Sequence, residues 1–165
     1  EIYKLHIKST DTIYELPENE YEIITMWHVL EHVHELKPYL NQCFKSLKQN
    51  GRLIIAVPNY TSFDASYYKK YWAAYDLPRH LYHFSPKSMT TLLNEICFEL
   101  VSLKPMWYDS FYVSLLSEKY KQSGKLGTLL AGFIGLISNL LAIRDVSKAS
   151  SIIYEVKKKT NPNNN

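Results

Sequence analysis

The apolar positions of the chain fall into two kinds of run. Ile23-Ile24-Thr25-Met26-Trp27 is short, β-branched and aromatic, and Arg52 to Val57 (RLIIAV) resembles it. Runs of about six such residues suit strands buried on both faces of a parallel sheet. Between them, Leu36, Leu40, Cys43, Phe44 and Leu47 recur at spacings of three and four, which predicts a helix over Leu36 to Gln49. Pro38 fits its first turn, and Asn50-Gly51 offers a residue pair able to take φ > 0 and end it. Strand, helix and strand with short links make a right-handed βαβ unit, so the fold class is α/β.

The remaining pattern extends that unit in both directions. Ile2 to Ile7 (IYKLHI) alternates like a strand, and Leu16 to Glu20 is a turn. Ser85, a natural N-cap ahead of Pro86, predicts a helix over Pro86 to Cys97; Phe98 to Leu103 and Ser151 to Lys157 read as strands. Tyr60 to Tyr75 carries Phe63, Tyr67, Tyr68, Tyr71, Trp72 and Tyr75 at helical spacing, either as core or as the wall of a substrate pocket. Leu126 to Ile143 holds no charge and is preceded by Lys119, Lys121 and Lys125 and followed by Arg144. Three readings stand: a helix buried in the domain or an oligomer interface, an interfacial helix dipping into a bilayer, and a membrane span. The strand after it argues against the span. Residues 1–160 are therefore read as one domain with an apolar helical insertion at about 110–145. Residues 161–165 are read as a disordered polar tail.

Composition narrows the class. At 165 residues and 46% apolar content the chain holds enough material for one core. Lys plus Arg number 19 against 16 for Asp plus Glu, an excess too small to argue for nucleic acid. Cys43 and Cys97 both lie in apolar patterns, as buried thiols of a reduced, cytoplasmic compartment would. The chain opens on Glu1 inside a strand-like pattern, which reads as a start within a domain.

Chemistry concentrates where the first buried strand turns polar. Tyr21 to Val33 reads YEIITMWHVLEHV, so a strand inside the sheet empties into His28, Glu31, His32 and, one residue beyond, His34. Ligands of open α/β sheets bind at such carboxyl ends. H-x-x-E-H also matches the inverted zinc-protease motif, with Glu95 or Glu99 as a distant ligand, and supports an alternative reading as a metal-dependent hydrolase using His28, Glu31 and His32. A position of His28 at the strand end, outside a helix, argues against it. A second cluster, Arg79, His80 and His83, follows the second strand.

YEIITMWHVLEHV, LKQNGRLIIAVPN and LPRHLYHFSPKSM, in that order, resemble the C-terminal portion of a class I S-adenosylmethionine-dependent methyltransferase, in the broad bacterial branch related to quinone-ring O-methyltransferases. The resemblance implies a partial Rossmann-like methyltransferase fold: a mostly parallel sheet with an antiparallel last strand, its N-terminal strands and helices missing. It makes Ile2 to Ile7 the third strand, Tyr21 to Trp27 the fourth, Arg52 to Val57 the fifth, Phe98 to Leu103 the sixth and Ser151 to Lys157 the seventh. By the same resemblance, Thr10, Asp11, Trp27 and His28 would face the cofactor, S-adenosylmethionine. Arg79, His83, Tyr71 and Trp72 would form the lid over a small-molecule acceptor, large or lipid-like in character. His80 is the first candidate for the base that accepts the acceptor's proton, and His28 the second. In the quinone-ring branch a Glu-x-x-Glu-His segment here binds a divalent cation; His28 replaces its first Glu, which would make a site of His28, Glu31 and His32 softer and more suited to zinc than magnesium. Glu31 and His32 are read first as packing and capping, and no metal is expected. The family's glycine-rich loop is absent: only five glycines occur and no G-x-G. The expectation is that this chain alone binds the cofactor weakly or not at all and that the full protein binds it. The remaining alternative is a non-catalytic scaffold that kept the sheet and lost the loop.

Overall fold

A computed structural model describes residues 7–159. Its sheet has four strands, in the order β1 (Tyr21–Trp27), β2 (Leu47–Pro58), β4 (Ser151–Lys158) and β3 (Phe98–Pro105). β1 and β2 run parallel, with Met26 opposite Ile55 and Trp27 opposite Ala56. β4 lies between β2 and β3 and is antiparallel to both, as expected for the last strand of the sheet.

One face of the sheet carries the main core. Leu53, Ile55 and Val57 stand opposite Val156, Tyr154 and Ile152, and Met26 joins them from β1. The helices α1 (Leu36–Ser46) and α3 (Pro86–Glu95) close this core through Leu40, Cys43, Met89 and Leu93. Each such burial contributes about 1.5–3 kcal/mol. α3 starts where its cap signal places it: Ser85 Oγ accepts from the Ser88 N–H, and Ser88 Oγ accepts from the Ser85 N–H.

Several expectations need correction. β1 is not buried on both faces. It is an edge strand among the described residues, and Ile23 and Trp27 are 60% and 50% exposed while Met26 is buried. Its outward positions happen to carry Ile, Thr and Trp, which disguises the period-two burial of a strand covered on one side. α1 ends at Ser46, and Asn50-Gly51 lies inside β2 without positive φ. Gly51 instead makes room: a Cβ there would stand 3.0 Å from both Leu47 Cδ2 and the Lys48 carbonyl oxygen. Cys43 is buried, but Cys97 is exposed in a left-handed turn (φ 67°) between α3 and β3. The strand predicted for Ile2 to Ile7 lies, but for its last residue, outside the described residues, as does the tail 161–165.

The aromatic stretch is broken rather than one helix. α2 (Phe63–Tyr68) gives way to two short 3-10 turns, Lys69–Tyr71 and Ala73–Tyr75. Tyr68 and Trp72 from it form a second core with Val113 and Ile134, which belong to an antiparallel hairpin of α4 (Asp109–Tyr120) and α5 (Gly124–Arg144). The helices touch closely at Gly135, where a Cβ would meet Phe111 Cδ1 at 2.7 Å. Asp64, fully buried, ties the hairpin to the sheet. It accepts from Trp72 Nε1 at 2.8 Å, Ser150 Oγ at 2.7 Å and Ser138 Oγ at 3.2 Å.

Candidate functional site

Two hollows open beyond the carboxyl ends of β1 and β2. The first, about 230 Å³, is bounded by His28 and Pro58 at the strand ends, Ala74, Asp76, Arg79 and His80 from the following loop, and Asp109, Tyr112, Val113, Leu116 and Tyr120 from α4. The second, about 300 Å³, lies beside it between the 3-10 turn Thr10–Glu15 and the start of α1, lined by Thr10, Asp11, Tyr14, Val29, His32, Val33 and Tyr39.

His28 is held at the mouth of the first hollow by its backbone and its ring. Its N–H continues the ladder to the Ala56 carbonyl (3.0 Å), and a left-handed φ of 52° then sends the chain out of the sheet. Nε2 lies 2.9 Å from Asp109 Oδ2 and Nδ1 lies 3.1 Å from Glu31 Oε1. The bonds to Asp109 and then Glu31 outweigh desolvation and push the imidazole pKa up to about 9. At neutral pH His28 is an imidazolium between two carboxylates, with no lone pair to offer.

His80 is the opposite case. Its Nδ1 is 2.8 Å from the Ala74 carbonyl oxygen, which can only accept, so the ring proton sits on Nδ1 and Nε2 keeps its lone pair. Burial holds its pKa below the usual histidine value, ahead of the opposing pull of the Ala74 carbonyl. The imidazole is therefore neutral, with Nε2 3.8 Å from Asp76 Oδ2. Asp76 sits in a left-handed turn (φ 38°) and holds Arg79 by its guanidinium at 2.7 Å.

The other predicted residues divide. Thr10 and Asp11 line the second hollow, whereas His28 belongs to the first and Trp27 is exposed at the sheet edge. Arg79 borders the first hollow. His83 turns away from it, Nε2–H donating to the Tyr75 carbonyl at 3.0 Å. Trp72 is core and Tyr71 half-exposed on the surface. Of the metal candidates, Glu31 and His32 converge with His80, their ligand atoms all within 4.8 Å, and His28 is not in that group. Glu95 and Glu99 pair with Lys37 and Lys157 and do not join the cluster, so the distant acidic ligand of the hydrolase reading is not supplied by either. The sequence reading missed Asp109 and Asp76. The i, i+3 spacing of Asp76 and Arg79 was a usable signal; nothing local announces Asp109, whose partner His28 lies far back in the chain, just past the end of β1.

The fold is similar to that of known methyltransferases. A family model described as a methyltransferase domain matches residues 4–103. No curated protein matches the chain significantly. Among solved structures, an S-adenosylmethionine-dependent methyltransferase from Archaeoglobus fulgidus aligns with a TM-score of 0.56 at 20% identity, over 92% of this chain and 66% of that one. One from Thermotoga maritima aligns at 0.55 and 14%, over 87% of this chain and 59% of that one. The 1,6-didemethyltoxoflavin N1-methyltransferase of Burkholderia thailandensis, with its substrate and S-adenosylhomocysteine bound, aligns at 0.50 and 16%, over 90% and 48%. The chain thus spans less than two thirds of the length of these structures, and the likeness shows their fold, a Rossmann-like sheet present here in part. With more than half of its length matched by the family model, the chain belongs to the methyltransferase domain family.

Proposed function

We propose that the protein of which this chain forms the site transfers a methyl group from S-adenosylmethionine to a small-molecule acceptor in the first hollow, with His80 taking the acceptor's proton. The observation that carries this reading is the neutral His80, its Nε2 lone pair left over by the Ala74 carbonyl, in a hollow at the carboxyl end of the sheet. When bound, the cofactor would supply an electrophilic sulfonium methyl for the acceptor atom, and the acceptor's proton would need a base. His80 has a lone pair for it at neutral pH. His28, charged and clamped, positions α4 against the strand end and lends the hollow a fixed positive group. Tyr112, Val113, Leu116 and Tyr120 give the hollow an apolar and phenolic wall suited to an acceptor with hydrocarbon or ring character.

The residues present fit one end of the cofactor. The second hollow offers Val29, Val33, Tyr14 and Tyr39 as apolar and aromatic surface, with Thr10 and Asp11 as polar partners, as an adenine ring requires. The chain has no G-x-G for the methionine end.

Transfer of labelled methyl from S-adenosylmethionine into aqueous and organic extracts tests the proposal. His80→Gln in the full-length protein is expected to lower turnover by about 100-fold. Calorimetry should find cofactor affinity within about twofold of wild type. Unchanged turnover removes His80 from the reaction.

A further inference from the structure

α5 is apolar all round, which a helix tolerates only when both of its sides are covered. One side is: Gly127, Ala131, Ile134, Ser138 and Ala142 are buried against the domain. At about 100° per residue, Leu126, Leu129, Phe133, Leu136, Leu140 and Ile143 occupy an arc of about 100° centred on the opposite side. They are exposed: Leu126 by 75%, Leu129 by 73%, Phe133 by 58% and Ile143 by 68%. Phe111 and Leu115 of α4 are exposed beside them on the same hairpin.

We infer that this face docks on an anionic lipid surface, with α5 lying in the plane of the interface. Charge selects the occupant. From Lys119 to Arg144 the hairpin carries Lys119, Lys121, Lys125 and Arg144, and its sequence over that range has no Asp or Glu. By helical position Lys125 and Arg144 fall on the two margins of the apolar arc and at its two ends. Lys119, Lys125 and Arg144 make no ion pair among the described residues; Lys121 alone is paired, to Glu118. A second copy would set these cations against their own kind, with exposed Asp145 at the end of α5 as the adjoining carboxylate, whereas an anionic headgroup layer neutralises all of them while the stripe enters the acyl boundary. Trp107 and Tyr108, exposed at the start of α4, are residues suited to that boundary, and Asn139 of α5 fixes this corner by donating to the Trp107 carbonyl at 2.9 Å. Spanning is disfavoured because the inner side is tied down: Ser138 donates to Asp64 and to the Lys148 carbonyl. The inference stands apart from methyl transfer, although α4 also walls the first hollow.

Flotation of the chain with phosphatidylcholine vesicles, with and without about one third phosphatidylglycerol, tests it. Binding to the anionic vesicles is expected, weakened by salt. The double variant Leu129→Asp/Phe133→Asp should lower it at least about tenfold, and Lys125→Glu/Arg144→Glu several-fold. All four side chains are exposed, so thermal unfolding should stay where it was. The inference is overturned if anionic vesicles are not bound, or if the Asp variant binds them as well as wild type. It is equally overturned if a dimer seen by sedimentation is dissolved by that variant while neither form binds vesicles.

Discussion

Replacing His28 with Gln removes the one cation clamped between Asp109 and Glu31 and should do so in a pH-dependent way. Folding raises the His28 pKa from 6.5 to about 9, the bond to Asp109 being the larger cause. At about 1.4 kcal/mol per pH unit this corresponds to roughly 3 kcal/mol of preference for the imidazolium. Its side chain is 33% exposed, so water screens the pair, and about 1–2 kcal/mol is the contribution to expect. The sign follows from the direction of the shift. Because the folded-state pKa lies above the unfolded one, the contribution is complete below about pH 6.5 and is lost as pH rises through about 9. Urea denaturation of wild type and His28→Gln across that range is the assay. The stability gap between them should be widest near pH 6.5 and shrink by about 1–2 kcal/mol by pH 10, leaving only a pH-independent packing remainder. A gap that stays level across this range, or an imidazole proton resonance titrating near 6.5, would refute the clamp.

Asp64→Ala strips three buried donors of their shared acceptor and should cost about 3–5 kcal/mol in chemical denaturation, less if Ser138 turns wholly to the Lys148 carbonyl. Gly135→Ala drives a methyl into the Phe111 ring and against its backbone, so the hairpin must part; a loss of about 1–3 kcal/mol is expected by the same method. Thiol labelling should modify Cys97 alone in the native chain, since Cys43 is buried with its pKa pushed up to about 12, and both once urea unfolds it.

Local chemistry made part of this fold legible. Ser85-Pro86 marked the start of α3, and RLIIAV and SIIYEVK marked β2 and β4, because a cap or a β-branched run depends only on its neighbours. β1 misled because exposure at Ile23 and Trp27 depends on what covers the sheet, which no local pattern encodes. Tyr60 to Tyr75 kept helical spacing but not a helix: Lys69 takes a φ of 50° and Trp72 an extended ψ of 117°, so packing of Tyr68 and Trp72 overrode the period. At the site, His28 and His80 were legible as candidate bases through the resemblance; that they share one hollow was not. Their opposite charge states were not either, since these arise from Asp109 and from a carbonyl of Ala74.

The position of β4 carries a further consequence for how the molecule is made. β2 and β3 leave the ribosome before it, yet neither can pair with the other, because the gap between them is reserved for a segment not yet synthesised. Until Ser151–Lys158 emerges, Leu53 and Ile55 have cross-strand neighbours on β1 alone and Phe98 lacks its partner Lys158, and the greasy hairpin is already out. A nascent chain halted before that point is an open book with two oily surfaces, which makes the interval a natural moment for chaperone capture or for first contact with a bilayer.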